Sequence, residues 1–248
     1  MERVNNYMIP IMVIACSILA LIGYVFSAHL ANIDENTPLD NAQVLGAIKN
    51  IEGESLLEIN DNTGTSYYYK GDSEDNYILL NNLMFRIVRF NGDGTIRVIL
   101  DSDVLNSNFN NVEYEKSNAK ILLDNWRTIN FGDASYLVEE DYDVTNYVTY
   151  ETYNLINFEG YMIDYVGLLS VREADIISQG LDKTYLDNGN GIYLSNGSGL
   201  YDVWYYKDGK IDVIDAKTKL SLRPVLNIKY NELSGKGTKL EPFELKEE

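Results

Sequence analysis

Apolar and polar residues follow two different patterns along this chain. Residues 8–30 (MIPIMVIACSILALIGYVFSAHL) form one apolar run that contains no Asp, Glu, Lys or Arg. As a helix this run would extend about 34 Å, which is enough to cross a hydrocarbon layer of about 30 Å. Beyond residue 50, short runs with strand or helix periodicity alternate with polar turns. The pattern therefore predicts a transmembrane segment followed by a folded domain.

The charges beside the apolar run predict its orientation. Arg3 precedes the run and acidic residues follow it, which favours a cytoplasmic N-terminus and an extracellular C-terminal domain. We predict an uncleaved, single-pass signal-anchor of the cell membrane at residues 1–31. A cleaved signal peptide is the alternative, but its best site, residues 25–27 (VFS), follows an unusually long apolar run. Residues 13–16 (VIAC) resemble a lipoprotein cleavage box, yet the chain stays apolar after them.

The polar residues after the run predict a stalk and then a domain rich in hairpins. Residues 32–50 are polar and acidic, typical of a stalk, and the extracellular domain is predicted to occupy residues 51–248. Two strand-like runs within residues 56–69 flank a turn cluster. A stronger hairpin is predicted within residues 83–100, whose two β-branched runs are joined by residues 91–94 (NGDG).

Two helices are predicted in the middle of the domain. The first begins at Ser117, a favourable N-cap, and runs to about Asn130. Its apolar face is predicted from an i, i+4, i+7 series formed by Leu122, Trp126 and Ile129. The second begins at residues 170–173 (SVRE), which match a capping box, so Glu173 is assigned to helix capping rather than to catalysis.

The C-terminal third returns to strand patterns. The predicted strands are residues 192–195, 203–206, 211–214 and 221–228. Within the last of these, Pro224 indicates an edge or a bulge. Arg223 beside it is expected to reach solvent or to meet a carboxylate or backbone carbonyls, because an unpaired guanidinium in an apolar strand is costly. Together, strands and helices indicate the α+β class, with antiparallel hairpins and about two helices.

Composition excludes several kinds of chemistry from the domain. The only cysteine, Cys16, and the only histidine, His29, both lie in the apolar run. The domain therefore lacks Ser-His-Asp and Cys-His nucleophile systems, Cys/His zinc sites and internal disulfides. With 38 acidic and 20 basic residues, the chain carries a formal charge of −18, which repels phosphate backbones, so no nucleic-acid partner is predicted.

Several motifs, in their order along the chain, resemble those of a known protein family. The motifs are residues 66–71 (SYYYKG), 85–97 (FRIVRFNGDGTIR), 167–174 (GLLSVREA), 222–228 (LRPVLNI), 235–238 (GKGT) and 241–243 (EPF). Over about residues 51–245 the chain resembles bacterial membrane-anchored surface proteins with a C-type-lectin-like domain. This fold group includes the formylglycine-generating enzyme, and the resemblance implies a compact mixed domain used for binding. It does not imply that enzyme's activity, which needs cysteines that the domain lacks.

Tyrosine is unusually frequent, with 20 residues, and one aromatic cluster marks a candidate ligand site. Alternation along residues 202–206 (DVWYY) places Trp204 and Tyr206 on one face of a strand. If exposed, they would form a stacking platform for sugar rings, and if buried they are core residues. The predicted ligand-binding residues are Asp202, Trp204, Tyr206, Asn188 and Asn190.

No cofactor, catalytic residue or metal ligand is predicted, and calcium is the one ion that the composition favours. Oxygen ligands occur in residues 72–76 (DSEDN) and at Asp187, Asn188 and Asn190, but no EF-hand loop is present. The sequence thus predicts a non-catalytic recognition or structural module at the cell surface, with a surface glycan or an envelope protein as partner. The alternatives are a carboxylate-dependent extracellular hydrolase acting on surface polysaccharide, and a subunit of an envelope assembly.

Overall fold

The computed structural model describes residues 56–61, 63–153, 160–179 and 181–246. The predicted membrane segment at residues 8–30 and the stalk at residues 32–50 lie outside these described residues. Within the described ranges, no helix is long and apolar enough to span a membrane.

The described residues are organised mainly as β-strands. In chain order the strands are β1 (Leu56–Asp61), β2 (Gly64–Tyr69), β3 (Tyr77–Leu80), β4 (Leu83–Phe90), β5 (Ile96–Leu100), β6 (Leu105–Asn108), β7 (Leu137–Val138), β8 (Glu140–Asp143), β9 (Tyr161–Asp164), β10 (Val166–Gly167), β11 (Ile192–Gly197), β12 (Asp202–Lys207), β13 (Lys210–Asp215), β14 (Lys219–Leu222), β15 (Val225–Ile228), β16 (Leu233–Ser234) and β17 (Phe243–Leu245). Two α-helices, α1 (Asn118–Phe131) and α2 (Val171–Ser178), and a 3₁₀ turn at Tyr114–Lys116 complete the described elements.

The strands form three sheets. The ten-stranded sheet has the order β10-β15-β5-β4-β3-β17-β16, with the β1–β2 hairpin attached to β4 through β2, and with β7 beside β15. The five-stranded sheet has the order β13-β12-β11-β14-β6, and β8 and β9 pair separately. Most pairs are antiparallel; β17 with β3 and β11 with β14 are parallel. Buried residues from the sheets and both helices form one apolar cluster, which is the core.

The α+β prediction is wrong, because strands account for 42% and helices for 14% of the described structure. Several segments that showed no clear periodicity in sequence become short strands by pairing with a neighbour. Residues 105–108 (LNSN), for example, pair along their full length with β14. Edge pairing of this kind depends on backbone hydrogen bonds, which leave little trace in the side-chain pattern.

The predictions based on turns and caps are confirmed. Strands β1 and β2 form a hairpin in which Leu56 lies opposite Tyr69, and β4 and β5 are joined by residues 91–95, which include the predicted turn at residues 91–94. The Ser117 side chain accepts a hydrogen bond from the backbone of Lys120 at the start of α1. At the start of α2, Ser170 and Glu173 form the reciprocal capping box.

The predicted apolar face of α1 is only partly correct. Leu122 and Trp126 are partly buried against the core, but Ile129 is 82% exposed. The helix buries Ala119, Leu123 and Phe131 instead. Because these residues lie one position or more away from the predicted series, the buried face is rotated around the helix relative to the prediction.

The segment predicted as one strand, residues 221–228, is divided between two sheets. Strand β14 belongs to the five-stranded sheet and β15 to the ten-stranded sheet, with Arg223 and Pro224 between them. Arg223 is 1% exposed and donates from Nε to the Leu100 carbonyl (2.7 Å) and from Nη1 to the Leu186 carbonyl (2.8 Å). The expectation that this arginine meets backbone carbonyls is therefore confirmed, and Pro224 marks the change of sheet.

A buried charge cluster lies between α2 and the ten-stranded sheet. Arg89 Nη1 is 3.4 Å from Asp61 Oδ2 and 3.9 Å from Glu173 Oε1, and it also contacts the Tyr68 hydroxyl. Arg97, from the neighbouring strand, is 1% exposed and Glu173 is 6% exposed. The cluster thus joins the β1–β2 hairpin, the centre of the sheet and α2 through ionic contacts.

Candidate functional site

Trp204 and Tyr206 are core residues in this structure, so they do not form an exposed stacking platform. Their side chains are 0% and 1% exposed. The Trp204 indole donates from Nε1 to the Val148 carbonyl at 3.1 Å, and its ring lies 4.8 Å from the ring of Tyr150. The Tyr206 hydroxyl lies 2.7 Å from that of Thr184. The prediction that both side chains lie on one face of the strand was correct, but other residues cover that face.

Asn188 and Asn190 are exposed and bound to one carboxylate. Their side-chain amides donate to Asp103, at 2.5 Å to Oδ1 and 2.8 Å to Oδ2 respectively. The Ser221 hydroxyl donates to the same carboxylate at 2.7 Å. These contacts attach the loop before β11 to the rest of the domain, which is a structural role.

The structure does not bring the five predicted site residues together. Asp202 is exposed at the start of β12, whereas the loop that holds Asn188 and Asn190 precedes Ile192, which pairs with Tyr206 near the other end of that strand. At the usual rise per strand residue, the two ends are roughly 13 Å apart along β12.

The oxygen-rich segments considered for calcium make protein contacts. Asp72 pairs with Lys183, and the buried amide of Asn76 accepts from Arg86 Nε at 2.6 Å. Asp187 accepts from the backbone N–H groups of Thr184 and Gly209. Over the described ranges, no group of three or more His, Cys, Asp or Glu side chains is arranged to hold a metal ion. Calcium binding stays an untested prediction.

A polar groove with a volume of about 320 Å³ lies elsewhere on the domain, and we call it the Tyr161 groove. Its walls are residues 113–115, residues 144–146 and residues 160–161. They come from the 3₁₀ turn, the loop after β8 and the start of β9. The groove therefore combines carboxylates, a hydroxyl, an amide and an exposed phenol ring.

The pairing of β8 with β9 places Tyr161 at the groove. Asp143 pairs with Tyr161, and Tyr142 pairs with Met162. Because successive side chains point to opposite faces of a strand, burial of Tyr142 and Met162 directs Tyr161 outward. Tyr161 is 47% exposed, so its ring is available to a ligand.

Hydrogen bonds fix the loop that carries Thr145 and Asn146. Asp143 Oδ1 accepts from the Thr145 backbone N–H at 3.0 Å and from Asn196 Nδ2 at 3.2 Å. The Thr145 hydroxyl in turn accepts from the Gly160 backbone N–H at 3.1 Å. Burial raises the pKa of Asp143, although these hydrogen bonds oppose the shift. The loop is thus held to both β9 and β11.

Burial of Tyr114 orients the two glutamates of the opposite wall. Tyr114 is 1% exposed and packs against Phe109, whose ring centre lies 6.0 Å away. The neighbours on either side, Glu113 and Glu115, are exposed. Glu113 forms an ion pair with Lys116 at 2.5 Å, whereas Glu115 has no salt bridge to any residue of the described part.

Tyr147, which follows the groove residue Asn146 in the chain, has an unusual backbone conformation. Its φ is +61° and its side chain is 63% exposed. A bulky residue in the left-handed region is strained, and such residues are found preferentially at functional sites. This conformation presents a second exposed phenol ring directly after the Thr145–Asn146 wall.

No protein-family model, curated protein or solved structure matches this chain. The chemistry of the groove is therefore the basis for assigning a function.

Sequence reasoning did not identify the groove residues. Glu113, Thr145 and Tyr161 are common residue types far apart in the chain, and only the β8–β9 pairing and the burial of Tyr114 bring them together. A local signal does exist: Asp143 and Asn111 each accept from the backbone N–H two residues later, as Asx turns do. These turns predict the shape of each wall but not that the walls meet.

Proposed function

We propose that this chain is a membrane-anchored recognition module of the cell surface that binds a glycan in the Tyr161 groove without chemical turnover. The observation that carries the proposal is the groove itself, in which an exposed phenol ring adjoins hydroxyl, amide and carboxylate groups. A sugar ring offers an apolar face for stacking and hydroxyls for hydrogen bonds, and both find partners here. A volume of about 320 Å³ lies within the usual range for small-ligand sites.

The apolar run at residues 8–30 and the acidic stalk at residues 32–50 support location at the membrane surface. A domain held on such a stalk is exposed to surface polysaccharides. The motifs that resemble C-type-lectin-like domains agree with a binding role, although a fold-level likeness does not identify a ligand.

The environment of Asp143 favours binding over hydrolysis. A glycosidase needs two carboxyl groups that reach the scissile bond, one of them with a raised pKa. Burial does raise the pKa of Asp143, but its Oδ1 accepts from Thr145 and Asn196 and its Oδ2 is buried without a hydrogen-bond partner among the described residues. Asp143 therefore supports the loop, and it is not one of the residues that line the groove.

A glycan array tests the proposal. The full chain in detergent micelles is applied to bacterial surface glycans, and bound glycans are then measured in solution by calorimetry and inspected for cleavage by mass spectrometry. Tyr161→Ala should weaken binding by about three- to tenfold, because it removes the stacking ring. Tyr201→Ala, a change at a 71% exposed tyrosine outside the groove, is the matched control and should bind normally.

Failure to bind any glycan would refute the proposal. Cleavage of a bound glycan would instead support the hydrolase alternative. Equal loss of binding in the Tyr161 and Tyr201 variants would place recognition outside the groove.

A further inference from the structure

The Tyr161 groove has an excess of negative charge. Glu113 and Glu115 line one wall, and Asp141 and Asp143 act electrostatically on Tyr161. Cations near these residues include Lys116, which pairs with Glu113, Arg172, which acts on Tyr161, and Arg97, which acts on Tyr114. The two charged residues that line the groove, Glu113 and Glu115, are therefore both carboxylates.

Glu115 is the carboxylate most available to a ligand. It is exposed and interacts with Lys116 only through space, whereas Glu113 forms a direct ion pair with that lysine. Burial of the intervening Tyr114 directs Glu115 away from the core. The Tyr114 hydroxyl, although its residue is 1% exposed, has no hydrogen-bond partner within the described ranges.

We infer that the groove takes a sugar that carries a free amino group, that is, an unacetylated hexosamine unit of a glycan. An ammonium group donates charge-assisted hydrogen bonds to a carboxylate such as Glu115, and it is also attracted to the face of an aromatic ring such as Tyr161. Phosphate-bearing or carboxylate-bearing glycans would be repelled by the same wall. This inference rests on the proposed function, since it specifies the ligand of the same groove.

The shape of the groove favours a sugar over a basic peptide. A peptide strand needs an extended groove or a long free sheet edge, whereas the Tyr161 groove is one small cavity of about 320 Å³ lined by three segments of two or three residues. A sugar hydroxyl can also accept from the N–H groups of the Asn146 side chain, which a lysine ammonium cannot do, because it only donates.

Paired oligosaccharides test the inference. The full chain in detergent micelles is titrated with a β-1,4-linked glucosamine tetramer and with the N-acetylglucosamine tetramer, at low and high salt. We expect the amino form to bind at least about tenfold more tightly, because a hydrogen bond to a charged group is the stronger one. This preference should shrink at high salt and at a pH where the amine loses its proton.

Three variants test which residue causes the preference. Glu115→Gln should reduce the preference to about twofold or less, because it weakens binding of the amino tetramer much more than binding of the N-acetylated tetramer. Glu244→Gln, the same change at an exposed position on β17, is the matched control and should alter neither affinity. Tyr161→Ala should weaken binding of both tetramers.

The possible failures differ from those of the proposed function. Equal binding of the two tetramers, or a preference that survives Glu115→Gln, would overturn the amino-sugar inference while glycan recognition stands. Equal or tighter binding of tetralysine would overturn the choice of a sugar. Absence of binding by every glycan, neutral or amino-bearing, would refute the proposed function itself.

Discussion

Glu173 Oε1 lies 2.6 Å from Nε of Arg97, and the other carboxylate oxygen of Glu173 accepts the Ser170 backbone N–H at 2.9 Å. One buried side chain therefore neutralises a guanidinium of the ten-stranded sheet and also caps helix α2. Removal of its charge should affect both contacts, in contrast to removal of the cap alone.

Glu173→Gln should destabilise the domain by about 3–5 kcal/mol, because it leaves Arg97 and Arg89 buried without their shared carboxylate. Ser170→Ala removes the cap but keeps the ion pair, so it should cost only about 1 kcal/mol. Urea denaturation followed by tryptophan fluorescence measures both changes. Equal effects of the two variants would show that Glu173 acts only as a cap.

The stabilising effect of Glu173 should depend on pH. Burial alone would raise the pKa of Glu173, but Arg97, Arg89 and the Ser170 hydrogen bonds together hold it below the ordinary value of 4.5. A folded-state pKa below the unfolded value stabilises the protein above the unfolded pKa, and this stabilisation is lost as pH falls through the folded pKa. The difference in unfolding free energy between wild type and Glu173→Gln should therefore shrink in acid. A difference independent of pH would contradict this prediction.

Asp143 should behave in the opposite way. Burial raises its pKa above the ordinary value of 3.8, so the folded state binds the proton more tightly than the unfolded state does. Ionisation then costs stability as pH rises. Asp143→Asn should gain stability relative to wild type as pH rises above 3.8, as measured by denaturation curves across that range. The reverse trend would indicate a cation beside Asp143 that stabilises its charge.

Arg223→Ala should lower the free energy of unfolding by about 2–5 kcal/mol, because it leaves the buried Leu100 and Leu186 carbonyls without donors. Arg223→Lys, which retains one donor group, should lose less. Thermal unfolding measures the effect, and glycan binding below the transition should be unchanged. A variant with normal thermal stability and no ligand binding would instead assign this segment to the binding surface.

The predicted topology can be checked on intact cells. With residues 8–30 in the membrane and the domain outside, added protease should release a fragment of the C-terminal domain. A cytoplasmic marker protein is the control for cell integrity. Cleavage only after lysis would reverse the orientation or place the domain inside the cell.

Local signals in the sequence predict local structure in this protein. The side chains of Ser117 and Ser170 contact backbone groups three residues away, and residues 91–94 need only a compatible turn, so each was predicted correctly. The burial of Trp204 depends instead on Val148 and Tyr150, which lie more than fifty residues earlier. Alternation along a strand shows which residues share a face but not whether another segment covers that face. The Tyr161 groove was missed for the same reason.

The passage of the chain from β14 to β15 couples the two large sheets mechanically. Beside it, β5 and β6 make the same change of sheet in the opposite direction, and the two crossings are tied by the hydrogen bonds from Leu100 to Pro224 and from Val104 to Leu222. Because of these hydrogen bonds, local opening of one sheet at this point also disrupts the other sheet. Amide exchange should therefore be equally slow on both sides of Arg223, and heat or denaturant should melt the two sheets in a single cooperative step.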